Sequence, residues 1–425
     1  MAMAISLTPA HHRWRARVFV ATWLSYVGFY FCRQPFSKAK GAIAVTTHWD
    51  TRTLGDIWVA YLIAYALGQF LASSMGPRLG PRRNVLLGMA VSVAVTLAMG
   101  AAPAWPVMAG LAALNGLAQA TGWSGNVGTM ASWFHKHERG KIMGVWSTNF
   151  TVGALVPGWV IAAVLGVAPW PWAFYSGAAV LAVIWVQFYV LQRTRPEDLG
   201  LAAIEDPVAE AVRQPRDATA APEPERLSRD AWINMLLVGG FYFFIKLIRY
   251  ALWSWVPYFL KTGYGLSDSN SALFSTAFDL AGLPGVLVTG WLSDRYFGSR
   301  RGGVSLLMTL GAVASTGLLI AIGGASATLF IVLLAAIGFF LYGPDSLLTG
   351  AGAIDIGSRR LATFAAAFIS GIGSLGAVVQ EFAISRQYKP GEGLGVVFAM
   401  LFGSAVLAAA FCAALVWRNR RGKGI

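Results

Sequence analysis

Charge is what this 425-residue sequence has least of. Asp, Glu, Lys and Arg together make up only 12% of it, about half of what a soluble domain carries. Cysteine is nearly absent. Cys32 and Cys412 stand alone in apolar stretches, which excludes a disulfide framework and a cysteine-based metal site. The five histidines, His11, His12, His48, His135 and His137, all lie at the N-terminus or in loops, and no nucleophile–base pair or metal spacing stands in the apolar core. An enzyme, a metal site and a bound cofactor are therefore not expected. Long polar segments are also missing, with one exception, Arg193 to Asp230.

What remains is hydrophobic: 56% of residues and a mean hydropathy of +0.58. The chain has room for about twelve spans of about 20 residues. They read as 16–44, 54–76, 84–103, 105–133, 140–167, 171–192, 231–261, 269–293, 303–323, 327–351, 361–384 and 394–417. The fold class is an all-α membrane protein in a lipid bilayer, its first span retained because no small-residue cleavage site follows it. The net charge of +14 does not point to nucleic acid, because of how it is distributed. Most lysines and arginines fall at the termini or in loops after even-numbered spans. Lys38, Lys40, Arg52, Lys261, Arg386 and Lys389 read as lying on the opposite side, and three cations are inside spans. By the positive-inside rule both termini are cytoplasmic.

The polar stretch contains Pro196, Pro207, Pro215, Pro222 and Pro224 with mixed charges, and reads as a flexible linker. It divides the chain into a six-helix half at 1–192, a linker at 193–230 and a second half at 231–425. The halves echo each other. Ser73-Ser-Met-Gly-Pro-Arg78-Leu-Gly80-Pro-Arg82-Arg83 follows span two, and Gly290-Trp-Leu-Ser-Asp294-Arg295-Tyr-Phe-Gly298-Ser-Arg300-Arg301 follows span eight. This doubled loop resembles the signature of the major facilitator superfamily. The first copy has Pro77 where the acid is expected. The resemblance implies a gating contact at Asp294 and Arg295, weakened or moved elsewhere in the first half.

Two charges stand out inside the spans. Arg33 precedes Arg82-Arg83 by 49 and 50 positions, and Arg249 precedes Arg300-Arg301 by 51 and 52. Each half thus aims one guanidinium into the membrane at a similar depth. A cation at the bilayer centre costs about 2.5–3.5 kcal/mol on insertion scales, and is kept where it faces a partner or a wet cavity. Arginine's planar fork matches phosphate oxygens two at a time, and Lys246 shares Arg249's helix face and adds a point charge. The bland readings are that Arg33 snorkels to the surface and that Lys246 pairs with Asp279. Asp279, Asp345 and Glu381 are the acids inside spans. Tyr26 and Tyr30 fall on Arg33's face, Tyr65 and Gln69 share one, Trp123 and Asn126 share another, and Tyr342 precedes Gly343-Pro344.

The segments Phe29-Tyr-Phe-Cys-Arg33-Gln-Pro-Phe-Ser-Lys-Ala, Leu114-Asn-Gly-Leu-Ala-Gln-Ala-Thr-Gly-Trp123, Phe241 to Trp255, Ala281-Gly-Leu-Pro-Gly285 and Phe340-Leu-Tyr-Gly-Pro344 resemble the organophosphate:phosphate antiporters of that superfamily. The resemblance implies that Arg33 and Arg249 clamp a phosphoryl group, that Tyr26, Tyr30, Tyr65, Trp123 and Tyr342 line the cavity, and that Asp279 exchanges ion pairs with the arginines. Gln69 stands where several bacterial relatives have a lysine, Phe150 where the glycerol-3-phosphate carriers have a histidine, and Lys246 where they have a tyrosine, which moves the third cation to the second half. The implied activity is exchange of a phosphorylated metabolite (a sugar phosphate, glycerol phosphate or phosphoglycerate) for inorganic phosphate. A monomer in a bacterial inner membrane fits the composition. The competing readings are a non-transporting organophosphate sensor of the same fold and a proton-coupled symporter or exporter.

Overall fold

The computed structural model describes residues 7–102, 104–134, 142–143, 145–146, 148–204, 228–296, 301–348 and 362–421. Its helices fall on the spans read from hydropathy. The first half holds α1 (Pro9–Thr47), α2 (Thr51–Leu79), α3 (Pro81–Gly100), α4 (Trp105–Gln119), α5 (Thr121–Trp133), α6 (Thr148–Val167) and α7 (Pro171–Leu191). The second holds α8 (Arg229–Thr262), α9 (Asp268–Phe274), α10 (Ala277–Tyr296), α11 (Arg301–Ile322), α12 (Ala327–Ser346), α13 (Ala362–Gln387) and α14 (Gly395–Arg420). Among the described residues, nine helical stretches are long and apolar enough to cross a membrane. The α1 and α2 helices and the α4–α5 pair are not among the nine.

Two spans expected as single helices are broken. Span four breaks at Ala120, where the Thr121 hydroxyl donates to Ala118 O at 2.8 Å. Span eight breaks at Ser275-Thr276, whose hydroxyls donate to Ala272 O and Leu273 O, both at 2.7 Å. Such local bonds compete with the helical ladder.

Helix pairings repeat between the halves. In the first, α2 lies on α4, α3 on α7, and α1 on α6 and α7; in the second, α10 lies on α12, α11 on α14, and α8 on α13 and α14. The seams between halves are α1 with α8, α2 with α13 and α6 with α9. Exchanging the halves turns each pairing into another that is present, which is what a pseudo-twofold axis requires.

Polar contacts between the halves gather at the end that carries the α1–α2 turn. The Thr51 and Tyr258 hydroxyls lie 3.4 Å apart, Arg386 pairs with Asp56 at 2.9 Å, and Trp159 Nε1 donates to Thr276 at 3.2 Å. The close approach needs Gly55, since a Cβ there would sit 2.1 Å from Ser385 Cβ. This closed end also corrects the sequence reading of Lys38 and Lys40, which are buried in α1 and are not on an outer surface. They lie two residues apart, so they point to opposite sides of the helix. Lys38 Nζ donates to Ser275 Oγ at 2.7 Å. Lys40 is 0% exposed, as is Glu381, and the two pair at 3.0 Å. Lys40 also donates to Ser254 at 2.8 Å and lies 3.7 Å from the Trp255 ring centroid, and Gln380 donates to the other Glu381 oxygen at 3.1 Å.

The polar stretch departs from a fully flexible linker. Its first residues form a turn, Pro196–Leu199, in which the Asp198 carboxylate accepts from the Thr194 and Arg195 N–H groups at 3.1 and 3.2 Å. Ala202 O lies 3.1 Å from His11 Nε2, which ties this turn to the start of α1.

The buried Lys40–Glu381 pair generates a prediction. Removing one partner of such a pair costs about 3–5 kcal/mol, because the other charge stays buried and alone. Lys40→Met should therefore open the closed end. Labelling of a Thr51→Cys reporter by a membrane-impermeant maleimide should rise at least about tenfold, a shift of about 1.4 kcal/mol. The double variant Lys40→Met/Glu381→Gln should return toward the parent. Unchanged labelling in the single variant would show that the pair does not hold this end closed.

Candidate functional site

The site lies between α1, α2, α4 and α5 of the first half and α8, α10, α12 and α13 of the second. It begins with backbone. Pro157 has no N–H, so Gly153 O in α6 loses its helical partner. Gln34 Nε2 fills the gap, donating to Gly153 O at 2.9 Å and Ala154 O at 2.8 Å. The adjacent Arg33 is thereby anchored on a fixed turn of α1. Arg33 is 8% exposed, which excludes snorkelling. Its Nε donates to Gln119 Oε1 at 2.8 Å, and its guanidinium lies over the Tyr30 and Tyr65 rings at 4.7 and 4.9 Å. No carboxylate pairs with it among the described residues, and its Nη2 is buried with no hydrogen-bond partner.

Gln119 is itself held. Tyr61 donates to the same Oε1 at 3.1 Å, and Gln119 Nε2 donates to Ser92 and Asn115 at 3.3 and 3.2 Å. Ser92 donates to Asn115 Oδ1 at 2.7 Å, and Asn115 donates to Cys32 O at 2.8 Å. Arg33 is thus oriented by a buried neutral network that leaves its charge uncancelled.

The second half treats its arginine differently. Arg249 Nη1 pairs with Asp345 Oδ2 at 2.8 Å and lies 4.4 Å from the Tyr342 ring centroid. Asp345 was expected only as an acid inside a span; it is the direct partner of Arg249. Asp279, expected to pair with Arg249 or Lys246, instead accepts a hydrogen bond from the Tyr342 hydroxyl, and lies within electrostatic range of Lys38 and Arg249. Lys246 Nζ donates to Ser374 Oγ at 3.2 Å, which removes the reading of a Lys246–Asp279 pair.

The Tyr30 phenol lies within electrostatic range of both arginines. Tyr26 meets Tyr30 edge-on with centroids 5.8 Å apart, and Trp123 at 5.5 Å. Trp123 contacts Phe150 at 4.9 Å and is 38% exposed. Gln69 is exposed one turn beyond Tyr65 on the same face of α2. Arg295 is exposed near the end of α10, and the side chains of Asp294 and Arg301, with Arg300, lie outside the described residues. Sequence reasoning missed Gln119, Tyr61 and Tyr250; Tyr250 lies in electrostatic range of Tyr26 and Tyr30. The quoted motif around Trp123 already contained Gln119, a polar residue in an apolar run. A ring of phenols around one uncancelled and one paired guanidinium is suited to holding an anion.

The chain is similar to known proteins over most of its length. Residues 18–380 match the family profile described as "Major Facilitator Superfamily". The chain is 28% identical over 321 residues to the "Glycerol-3-phosphate transporter" of Bacillus subtilis, covering 72% of this chain and 70% of that protein. It is 26% identical over 401 residues to the "Probable hexose phosphate transport protein" of Chlamydia muridarum, covering 88% of this chain and 85% of that protein. Among solved structures, the D-xylose-proton symporter matches with a TM-score of 0.73 at 15% identity, over 93% of this chain and 96% of that one, a likeness of fold alone.

The asymmetry between the arginines generates a prediction. Asp345 already takes the Nη1 of Arg249 at 2.8 Å, a donor for which an incoming anion would compete. Asp345→Asn should bind inorganic phosphate at least about threefold more tightly in isothermal titration, since the internal competitor is gone. Weaker binding would show that Asp345 aims Arg249 and does not compete with the anion.

Proposed function

This chain belongs to the Major Facilitator Superfamily, a membrane transporter and not an enzyme, and from that premise we propose that it exchanges a phosphorylated organic metabolite for inorganic phosphate. The observation that carries the reading is Arg33, a buried guanidinium with a neutral partner, no paired carboxylate among the described residues and an unfilled Nη2. A buried charge left unpaired costs several kcal/mol. An anion carrying between one and two negative charges removes that cost. The relatives named for glycerol-3-phosphate and hexose phosphate transport support a phosphate ester as that anion.

In this reading Arg33 and Arg249 clamp the phosphoryl group from opposite halves, Tyr26, Tyr30, Tyr65, Trp123 and Tyr342 line the path of the organic part, and Lys246 adds positive charge. Asp345 holds Arg249 when the ligand is absent, and Asp279, bonded to Tyr342, stands within electrostatic range of Arg249 and Lys38. The two six-helix halves rock about this centre, alternately opening its two sides. With both termini in the cytoplasm of a bacterial inner membrane, the closed end at Lys40 and Glu381 faces outward and the site opens inward. The Asp294–Arg295 loop contributes to the latch of the opposite conformation. The carrier works as a monomer.

The clamp is tested by changing fork to point. Arg33→Lys and Arg249→Lys keep the charge but lose bidentate geometry. Phosphate counterflow in proteoliposomes should fall at least about tenfold in each, about 1.4 kcal/mol in transition-state terms. Normal exchange in both lysine variants would overturn the clamp.

A further inference from the structure

We infer that Lys246 is a second anion-reading centre, and that the organic substrate carries a carboxylate in addition to its phosphoryl group. The inference rests on the carrier reading above and narrows its substrate class.

The two halves superimpose in sequence at a constant offset around the site. Arg249 follows Arg33 by 216 positions, Lys246 follows Tyr30 by 216, and Tyr242 follows Tyr26 by 216. One half therefore presents a phenol where the other presents an ammonium. That substitution puts a second cation on α8 one turn from Arg249. Among the described residues these two share one carboxylate, Asp345, which is in electrostatic range of Lys246 and makes an ion pair with Arg249 at 2.8 Å.

Lys246 is half-buried. Its Nζ has three N–H donors, of which one is directed to Ser374 Oγ at 3.2 Å. The Ser374 hydroxyl spends its own proton on Ser370 O at 2.9 Å, so it can only accept from Lys246. The ammonium also lies 4.8 Å from the Tyr242 ring centroid. No carboxylate is recorded in direct contact with it among the described residues.

Tyr65 links this ammonium to the arginine of the other half. Its ring lies 4.9 Å from the Arg33 guanidinium carbon, and its phenol is in electrostatic range of Lys246. Among the described residues, positive charge without a directly paired acid thus sits at two points, Arg33 and Lys246, and Tyr65 is in reach of both. A phosphate ester of a neutral alcohol gathers its charge on a single group and answers only one of them. A short phosphorylated carboxylic acid answers both, with its phosphoryl on the arginines and its carboxylate on Lys246, where a charge-assisted hydrogen bond forms.

The test uses a matched pair of inhibitors of phosphate counterflow in proteoliposomes. 3-Phosphoglycerate and glycerol 3-phosphate share a three-carbon phosphorylated skeleton and differ in the carboxylate. The parent protein should be half-inhibited by 3-phosphoglycerate at a concentration at least about tenfold lower, the scale of one charge-assisted hydrogen bond. In Lys246→Gln the ratio of the two half-inhibitory concentrations should fall to about one, and in Lys246→Arg it should stay near the parent value, since the charge is kept. Equal inhibition of the parent by both compounds would overturn the assignment. So would a Lys246→Gln variant that weakens both inhibitors equally and keeps their ratio, the mark of a structural lysine. Absence of any phosphate counterflow in the parent protein would instead overturn the carrier reading, and the assignment with it.

Discussion

The contact on which the site depends is the one between Arg33 and Gln119. A guanidinium this deeply buried is normally neutralised, since an unpaired ion in a low-dielectric interior is costly. Here its Nε is held by an amide oxygen at 2.8 Å, which supplies direction but no charge. The related arginine, Arg249, has a carboxylate in that role. The spans that supply these partners, four and ten, occupy equivalent places in the two halves, so one scaffold has been given two electrostatic outcomes. The first half holds a cation with no acid partner among the described residues; the second holds a cation already paired.

The closed end depends on the same helix. Five residues past Arg33 the chain places Lys38 in the seam with α9, and two residues further on it places Lys40 in the seam with α8 and α13. Asp279 stands between the two regions: it accepts from Tyr342, which lies under Arg249, and is in range of Lys38. In the proposed exchange, an anion held by both arginines changes the charges that Asp279 faces, and Asp279 is in range of Lys38 at the seam between the halves.

Much of this was legible in the sequence, for a physical reason. A charge inside an apolar run is so costly that its presence is informative, which is why Arg33, Lys246, Arg249 and Asp279 stood out and the aromatic residues around them could be placed by helical spacing. The repeat between the halves was visible in the loop motifs and in the depth of the arginines, and the helix pairings carry the same symmetry. Partners were harder. Lys38 and Lys40 lie near a span end, where a lysine normally reaches water, so nothing local distinguished them from surface cations; the matching signal was Glu381, an acid in a distant span. Asp345 rather than Asp279 pairs with Arg249 because the choice is made by packing between spans seven, eight and ten, which hydropathy does not encode. Gln119 was overlooked because a neutral amide in an apolar helix costs far less than a charge, and so stands out less.

In the proposed exchange, the uncancelled charge of Arg33 makes return of the empty carrier unfavourable. The direct measurement is efflux of radiolabelled phosphate from preloaded proteoliposomes into two media of equal ionic strength, one containing phosphate and one containing none. Efflux should depend on phosphate outside, at least about tenfold faster than into the phosphate-free medium. Equal efflux into both media would contradict it, because the carrier would then be crossing with its guanidinium unpaired.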